Sequence, residues 1–143
     1  ETLNVVKIVK LALEIFNEDY IQFSALEDEI IAKLDRTQLI RVITNLVKNA
    51  IQAVPEEQEN KAVFVTVFRE LGSVKIEVKD NGKGVPIENK NHIFEPKFTT
   101  KTSGMGLGLS IIKKIIENYN GTITFESEIG VGTTFLVSFP ISE

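Results

Sequence analysis

The chain has 143 residues, 43% of them hydrophobic and 25% charged, with a formal net charge of -4. That length and balance suit one globular domain with a real core, and the mild acidity argues against a general nucleic-acid binder, which needs a basic face. There is no cysteine, which excludes disulfides and thiolate metal sites, and no apolar run approaches the ~20 residues of a membrane helix. No signal peptide is visible. The chain opens at Glu1 rather than Met. It reads as a piece of a longer protein whose anchor or targeting segment could lie elsewhere.

In chain order, Leu3, Val6, Val9, Leu13 and Phe16 recur at helical spacing and predict a helix over 3–16. Residues 20–25 and 29–34 read as short strands around an acidic turn. Asp35 is the expected N-cap of a long helix that Pro55 closes near residue 54. Residues 61–70 and 73–79 alternate like a hairpin around Leu71-Gly72. Residues 80–103 show little periodicity, and a loop of that length inside a compact domain is functional or mobile. A helix is expected from about 105 to 119, stopped by Asn120-Gly121, then strands at 122–127 and 133–139. Paired strands broken by helices predict an α/β fold: a two-layer sandwich, three helices on one face of a mixed, mostly antiparallel sheet.

The run Gly104-Met105-Gly106-Leu107-Gly108 leads into an amphipathic segment. Glycines let backbone N–H groups approach a ligand, and a helix start adds unpaired N–H groups and a positive dipole end. Together they describe a phosphate cradle. The spacing is neither the dinucleotide fingerprint nor a P-loop. An acidic protein that binds phosphate needs local cations, and Lys48, Lys83, Lys97 and Lys101 are the candidates.

Asn45 and Asn49 stand four apart and project from one face of the long helix. They are either solvated surface residues or, for Asn49, an oxygen ligand to Mg²⁺, which takes few protein oxygens alongside phosphate and water. Lys48 either pairs with phosphate or is simply solvated. Asp80-Asn81-Gly82-Lys83-Gly84 follows a strand and could be a plain turn. It could also read adenine: a carboxylate accepts from the exocyclic amine, and Gly82 and Gly84 admit the base. Phe94 and Phe98 are expected to pin the loop, with Thr99, Thr100 and Lys101 close to the cradle. His92 is expected to be a surface residue.

The blocks N-L-V-K-N-A at 45–50, D-N-G-K-G at 80–84, I-F-E-P-K-F-T-T-K at 93–101, G-M-G-L-G-L at 104–109 and G-V-G-T-T-F at 130–135 stand in register. In that order they resemble the ATP-binding catalytic domain of sensor histidine kinases, over nearly the whole chain. The wider superfamily includes gyrase, mismatch-repair ATPases and a class of heat-shock chaperones. The F-T-T-K wording at 98–101 looks closest to the nitrogen-regulation class of sensor kinases.

The resemblance implies one catalytic domain over 1–143 with ATP and Mg²⁺ as cofactors. Asn49 would hold the metal. Asp80 would take the adenine amine, with Thr133 nearby. Gly82, Gly84 and Phe94 would shape the pocket, and Asn45 and Lys48 would lie along the nucleotide. Lys97 to Lys101 would form a lid over phosphates cradled by Gly104 to Gly108. The aromatic that many relatives carry four residues after the magnesium asparagine is replaced by Ala53. Hydrolytic members carry a Glu where this chain has Asn45, and an amide cannot act as a general base. Transfer to a histidine on a separate dimerisation hairpin is therefore implied, followed by a response regulator. The implied setting is a cytoplasmic domain, monomeric alone and part of a homodimer in the full kinase, with no nucleic-acid partner.

Overall fold

The computed structural model describes residues 1–95 and 105–141, with the backbone alone at 105–107. In chain order the elements are β1 (Thr2–Asn4), α1 (Val5–Ala12), β2 (Ile21–Ala25), β3 (Ile31–Lys33), α2 (Arg36–Ala53), β4 (Val63–Glu70), β5 (Ser73–Asp80), α3 (Met105–Asn118), β6 (Thr122–Glu128) and β7 (Gly132–Pro140). Short 3₁₀ turns occupy Leu13–Ile15 and Ile87–Asn89.

A five-stranded sheet runs β2-β4-β5-β7-β6. Only β2 and β4 pair in parallel; the other pairs are antiparallel. The alternation along β4, β5 and β7 puts Val63, Val65, Val67, Val74, Ile76, Val78, Val137 and Phe139 on one buried face. That face is covered by the apolar stripes of the helices, with Leu39, Val42, Ile43, Leu46 and Val47 from α2 and Ile112 and Ile116 from α3. Each such side chain contributes about 1.5–3 kcal/mol of burial. The result is the expected two-layer α/β sandwich.

Several local expectations hold at the level of single hydrogen bonds. Asp35 caps α2, accepting from the Gln38 N–H at 2.9 Å. Leu71 and Gly72 carry φ of 53° and 77°, the left-handed pair of a two-residue hairpin turn. Asn120 ends α3 at φ 63°, while the Gly121 N–H donates to the Ile116 carbonyl and the Asn120 N–H to that of Glu117. This is the paired bonding of a Schellman stop.

The N-terminal segment differs from expectation. Leu3 and Asn4 leave the predicted helix and, with Thr2, pair with β3, and Asn4 starts α1 by accepting from the N–H groups of Val6 and Ile30 at 3.1 Å each. Helical spacing alone could not exclude this, because Leu3 is buried in either arrangement. The strands at 21–25 and 31–33 do not pair with each other: β2 joins the large sheet and β3 a separate ribbon with β1. The choice of partner is tertiary, since β2 borders β4 only after α2 has returned the chain.

Candidate functional site

The site is organised by one face of α2. Asn45, Asn49 and Ala53 lie at successive four-residue steps, so they form a row of about 12 Å at 1.5 Å per residue. At one end of the row stands the start of α3. A Cβ on Gly108 would lie 2.8 Å from Asn45 Oδ1, so the third glycine of the run gives room for the Asn45 carboxamide. Gly106 and Gly108 fall inside the first turn of α3, which begins at Met105. The first N–H groups of that helix have no intrahelical partner.

At the other end stand Ala53 and the Asp80 turn. The Lys83 N–H donates to the Ala53 carbonyl at 3.0 Å, and a Cβ on Gly82 would sit 2.2 Å from that same oxygen. Gly84 has φ +80°, and its Cβ would meet the Glu128 carbonyl at 2.5 Å. These two glycines therefore hold the turn against α2 and the β6–β7 connection. Asn81 fastens it further: its side chain accepts from the Ala62 N–H at 2.9 Å and donates to the Asn60 carbonyl at 2.7 Å. Sequence spacing does not reveal this role of Asn81, because both partners of its side chain lie some 20 residues away along the chain.

Asp80 is only 4% exposed. Its Oδ1 accepts from the Gly82 N–H at 2.8 Å. Burial raises its pKa above the ordinary carboxylate value, and the backbone N–H groups of Gly82 and Thr133 partly offset this. Thr133 faces Asp80 across the β5–β7 ladder and is itself buried. A buried acceptor beside a buried hydroxyl can meet a polar edge that carries both a donor and an acceptor.

Asn49 is buried at 7% exposure, and its amide nitrogen has no hydrogen-bond partner among the described residues. A half-turn of the amide exchanges nitrogen for oxygen. An unpaired buried amide is costly unless a ligand completes it, so the residue fits the oxygen ligand of a hard cation. Lys48 is exposed beside it.

Phe94 packs edge-on against Phe125 and Phe135, with ring centroids 5.9 and 6.4 Å away, and the Lys113 ammonium lies 5.1 Å over its ring. Ile93 is buried in the core. Phe94 thus acts on the site by anchoring the loop, as expected of a pinning residue. His92 is at the surface, its Nδ1 2.9 Å from Glu95. Lys97, Phe98, Thr99, Thr100, Lys101 and Gly104 lie outside the described residues, as do the side chains at Met105 and Leu107. No helix among the described residues is long and apolar enough to cross a membrane.

Comparison with known proteins places the chain in a family. Residues 34–143 match the family described as histidine kinase-, DNA gyrase B-, and HSP90-like ATPase. Sporulation kinase A of Bacillus subtilis is 40% identical over 124 residues, covering 87% of this chain and 20% of that protein. Sensor histidine kinase ZraS of Escherichia coli is 40% identical over 108 residues, covering 76% of this chain and 23% of ZraS. The chain therefore spans about a fifth of the length of these curated relatives. Among solved structures, the nucleotide-free catalytic domain of histidine kinase ThkA superposes with a TM-score of 0.86 at 33% identity, over 99% of this chain and 95% of that one. ThkA in complex with the response regulator protein TrrA matches at a TM-score of 0.82 and 30% identity, over 99% of this chain and 42% of that one. The chain belongs to the histidine kinase-, DNA gyrase B- and HSP90-like ATPase family, in the form that sensor histidine kinases use as their catalytic domain.

Proposed function

We propose that this chain is a single catalytic domain of a longer sensor kinase. In this reading it binds Mg-ATP and donates the γ-phosphoryl group to a histidine on a separate dimerisation hairpin of a two-component system. The observation that carries the reading is the row along α2. It runs from the buried carboxylate of Asp80, beside Ala53, past the unpaired amide of Asn49, to Asn45 beneath the start of α3. Base acceptor, metal ligand and helix N-terminus stand in the order in which a nucleotide presents amine, phosphates and charge.

Asn49 would hold the magnesium ion, which when bound neutralises phosphate charge. Asn45 and Lys48 would lie along the phosphates, and the N–H groups from Gly104 to Gly108 would cradle them. Lys97 and Lys101, with Thr99 and Thr100, would close over the γ-phosphoryl group. Phosphoryl transfer depends on positioning and charge neutralisation, so it needs no general base at Asn45. Water is then a poor acceptor, and a partner imidazole is the better nucleophile. A response regulator would receive the group next. The domain would work on the cytoplasmic side, in a kinase that dimerises through its hairpin.

Calorimetric titration with a non-hydrolysable ATP analogue tests the reading. Saturable binding that Mg²⁺ strengthens in the wild type, but not in Asn49→Ala, is expected. Binding that is equal with and without Mg²⁺ in both proteins would remove Asn49 from the metal site. No binding at millimolar analogue would leave the chain a protein-contact scaffold.

A further inference from the structure

Ser127, on β6, lies outside every motif that carries the functional reading, yet its hydroxyl joins three groups beside Asp80. Its Oγ accepts from the Val85 N–H at 2.7 Å. The same oxygen is 2.8 Å from Thr133 Oγ1 and 3.2 Å from the Gly132 carbonyl. Its own carbonyl accepts from the Lys90 ammonium.

A serine hydroxyl has one proton. The Val85 N–H can only donate, so it always occupies a lone pair of Ser127 and leaves that proton two possible acceptors. If the proton goes to Thr133, the shorter contact, then the Thr133 proton is free and the hydroxyl presents a donor to a ligand. If it goes to the Gly132 carbonyl, Thr133 must donate to Ser127 and presents only lone pairs. The polarity of the buried Thr133 hydroxyl is thus coupled to that of Ser127.

We propose that Ser127 is a specificity-determining residue: it turns the Thr133 hydroxyl into a donor, so that Asp80 and Thr133 together present acceptor and donor to a purine edge. This rests on the reading of Asp80 as the adenine acceptor. The adenine edge offers an amine donor beside a ring-nitrogen acceptor, and it matches that pair. Hypoxanthine offers a carbonyl acceptor beside an N–H donor, and it opposes both groups. A bridging water does not undo the selection. A water that gives one proton to Asp80 and the other to the ring nitrogen can only accept from Thr133. Ser127 does not touch the base; it acts through Thr133 as a positioning residue.

The test compares ADP and inosine diphosphate, each with Mg²⁺, by titration against wild type, Ser127→Ala, Thr133→Val and the double variant. Without Ser127, the Thr133 hydroxyl is free to turn either way. Ser127→Ala should then bind inosine diphosphate more tightly and ADP nearly as before, cutting the preference for ADP about three- to tenfold, the scale of one hydrogen bond. A merely structural loss, including the orphaned Val85 N–H, would weaken both nucleotides alike. In Thr133→Val, adding Ser127→Ala should leave the preference unchanged. Ser127→Cys, which keeps the size with a weaker donor, should fall between wild type and Ser127→Ala, and it serves if the alanine variant does not fold. An unaltered preference in both Ser127 variants, or an equal change with and without the Thr133 hydroxyl, would overturn the proposal. If the wild-type domain binds ADP without preferring it, the proposal fails while nucleotide binding stands; if it binds neither, both fail.

Discussion

Asp80 carries an ionisable group into a nearly dry position, and that has a cost in the free domain. Burial raises its pKa, so the folded chain holds the proton more tightly than the unfolded chain. Its contribution to stability therefore falls as pH rises from the ordinary carboxylate range to the raised value, and stays lost above it. Asp80→Asn removes that penalty and keeps an acceptor for Gly82. Its melting temperature should equal or exceed that of wild type, while adenine-nucleotide affinity falls by about 1–3 kcal/mol. A lower melting temperature with normal affinity would assign Asp80 to folding alone. An amine prefers the ionised carboxylate, so affinity should also fall as pH drops through the raised Asp80 pKa. Titrations across acidic pH check this, and a flat profile in wild type would remove the charge from recognition.

The meeting of α2 with α3 is the contact between elements on which the site most depends. Gly108 is unusual there because its missing Cβ is replaced by the Asn45 side chain. In Gly108→Ala the new methyl meets the tip of a flexible amide, so Asn45 swings aside and the helices keep their places. Alanine also favours the helix by about 1 kcal/mol over glycine. The variant should fold with near-normal stability in urea and lose nucleotide affinity, and the double variant with Asn45→Ala should lose no more than Asn45→Ala alone. A large fall in stability with intact affinity would make Gly108 a packing residue only. These element-scale facts were partly legible. The helix at 36–53, its Asp35 cap, the hairpin with Leu71-Gly72 and the Asn120-Gly121 stop follow from local chemistry that each segment carries by itself. The split of the expected N-terminal helix was not legible, because it depends on strand β3 some 30 residues later.

At the scale of the whole molecule, the residues proposed to hold the base and those proposed to hold the phosphates come from different parts of the sandwich. Asp80 and Thr133 come from neighbouring strands, Asn45 and Asn49 from α2, and the glycine run from α3. A ligand that spans them should tie the layers together. Mg-ADP at one hundred times its dissociation constant should stabilise the domain by about 2.7 kcal/mol, read as a rise in melting temperature that Asn49→Ala reduces. No shift at saturation would mean that the layers do not share a ligand.

The sequence by itself determined most of the alternation of strands and helices and the caps and turns, because each depends on spacing or on the chemistry of a few neighbours. Only the tertiary structure decided that β2 runs parallel beside β4 and that β3 leaves for a separate ribbon with β1. It also decided that Gly82 and Gly84 are required by backbone carbonyls of α2 and β6, that Gly108 makes room for Asn45, and that the hydroxyls of Ser127 and Thr133 meet at 2.8 Å. The physical reason is the same in each case. Close approach and hydrogen-bond polarity are properties of atoms from distant parts of the chain, and they exist only once the layers have packed.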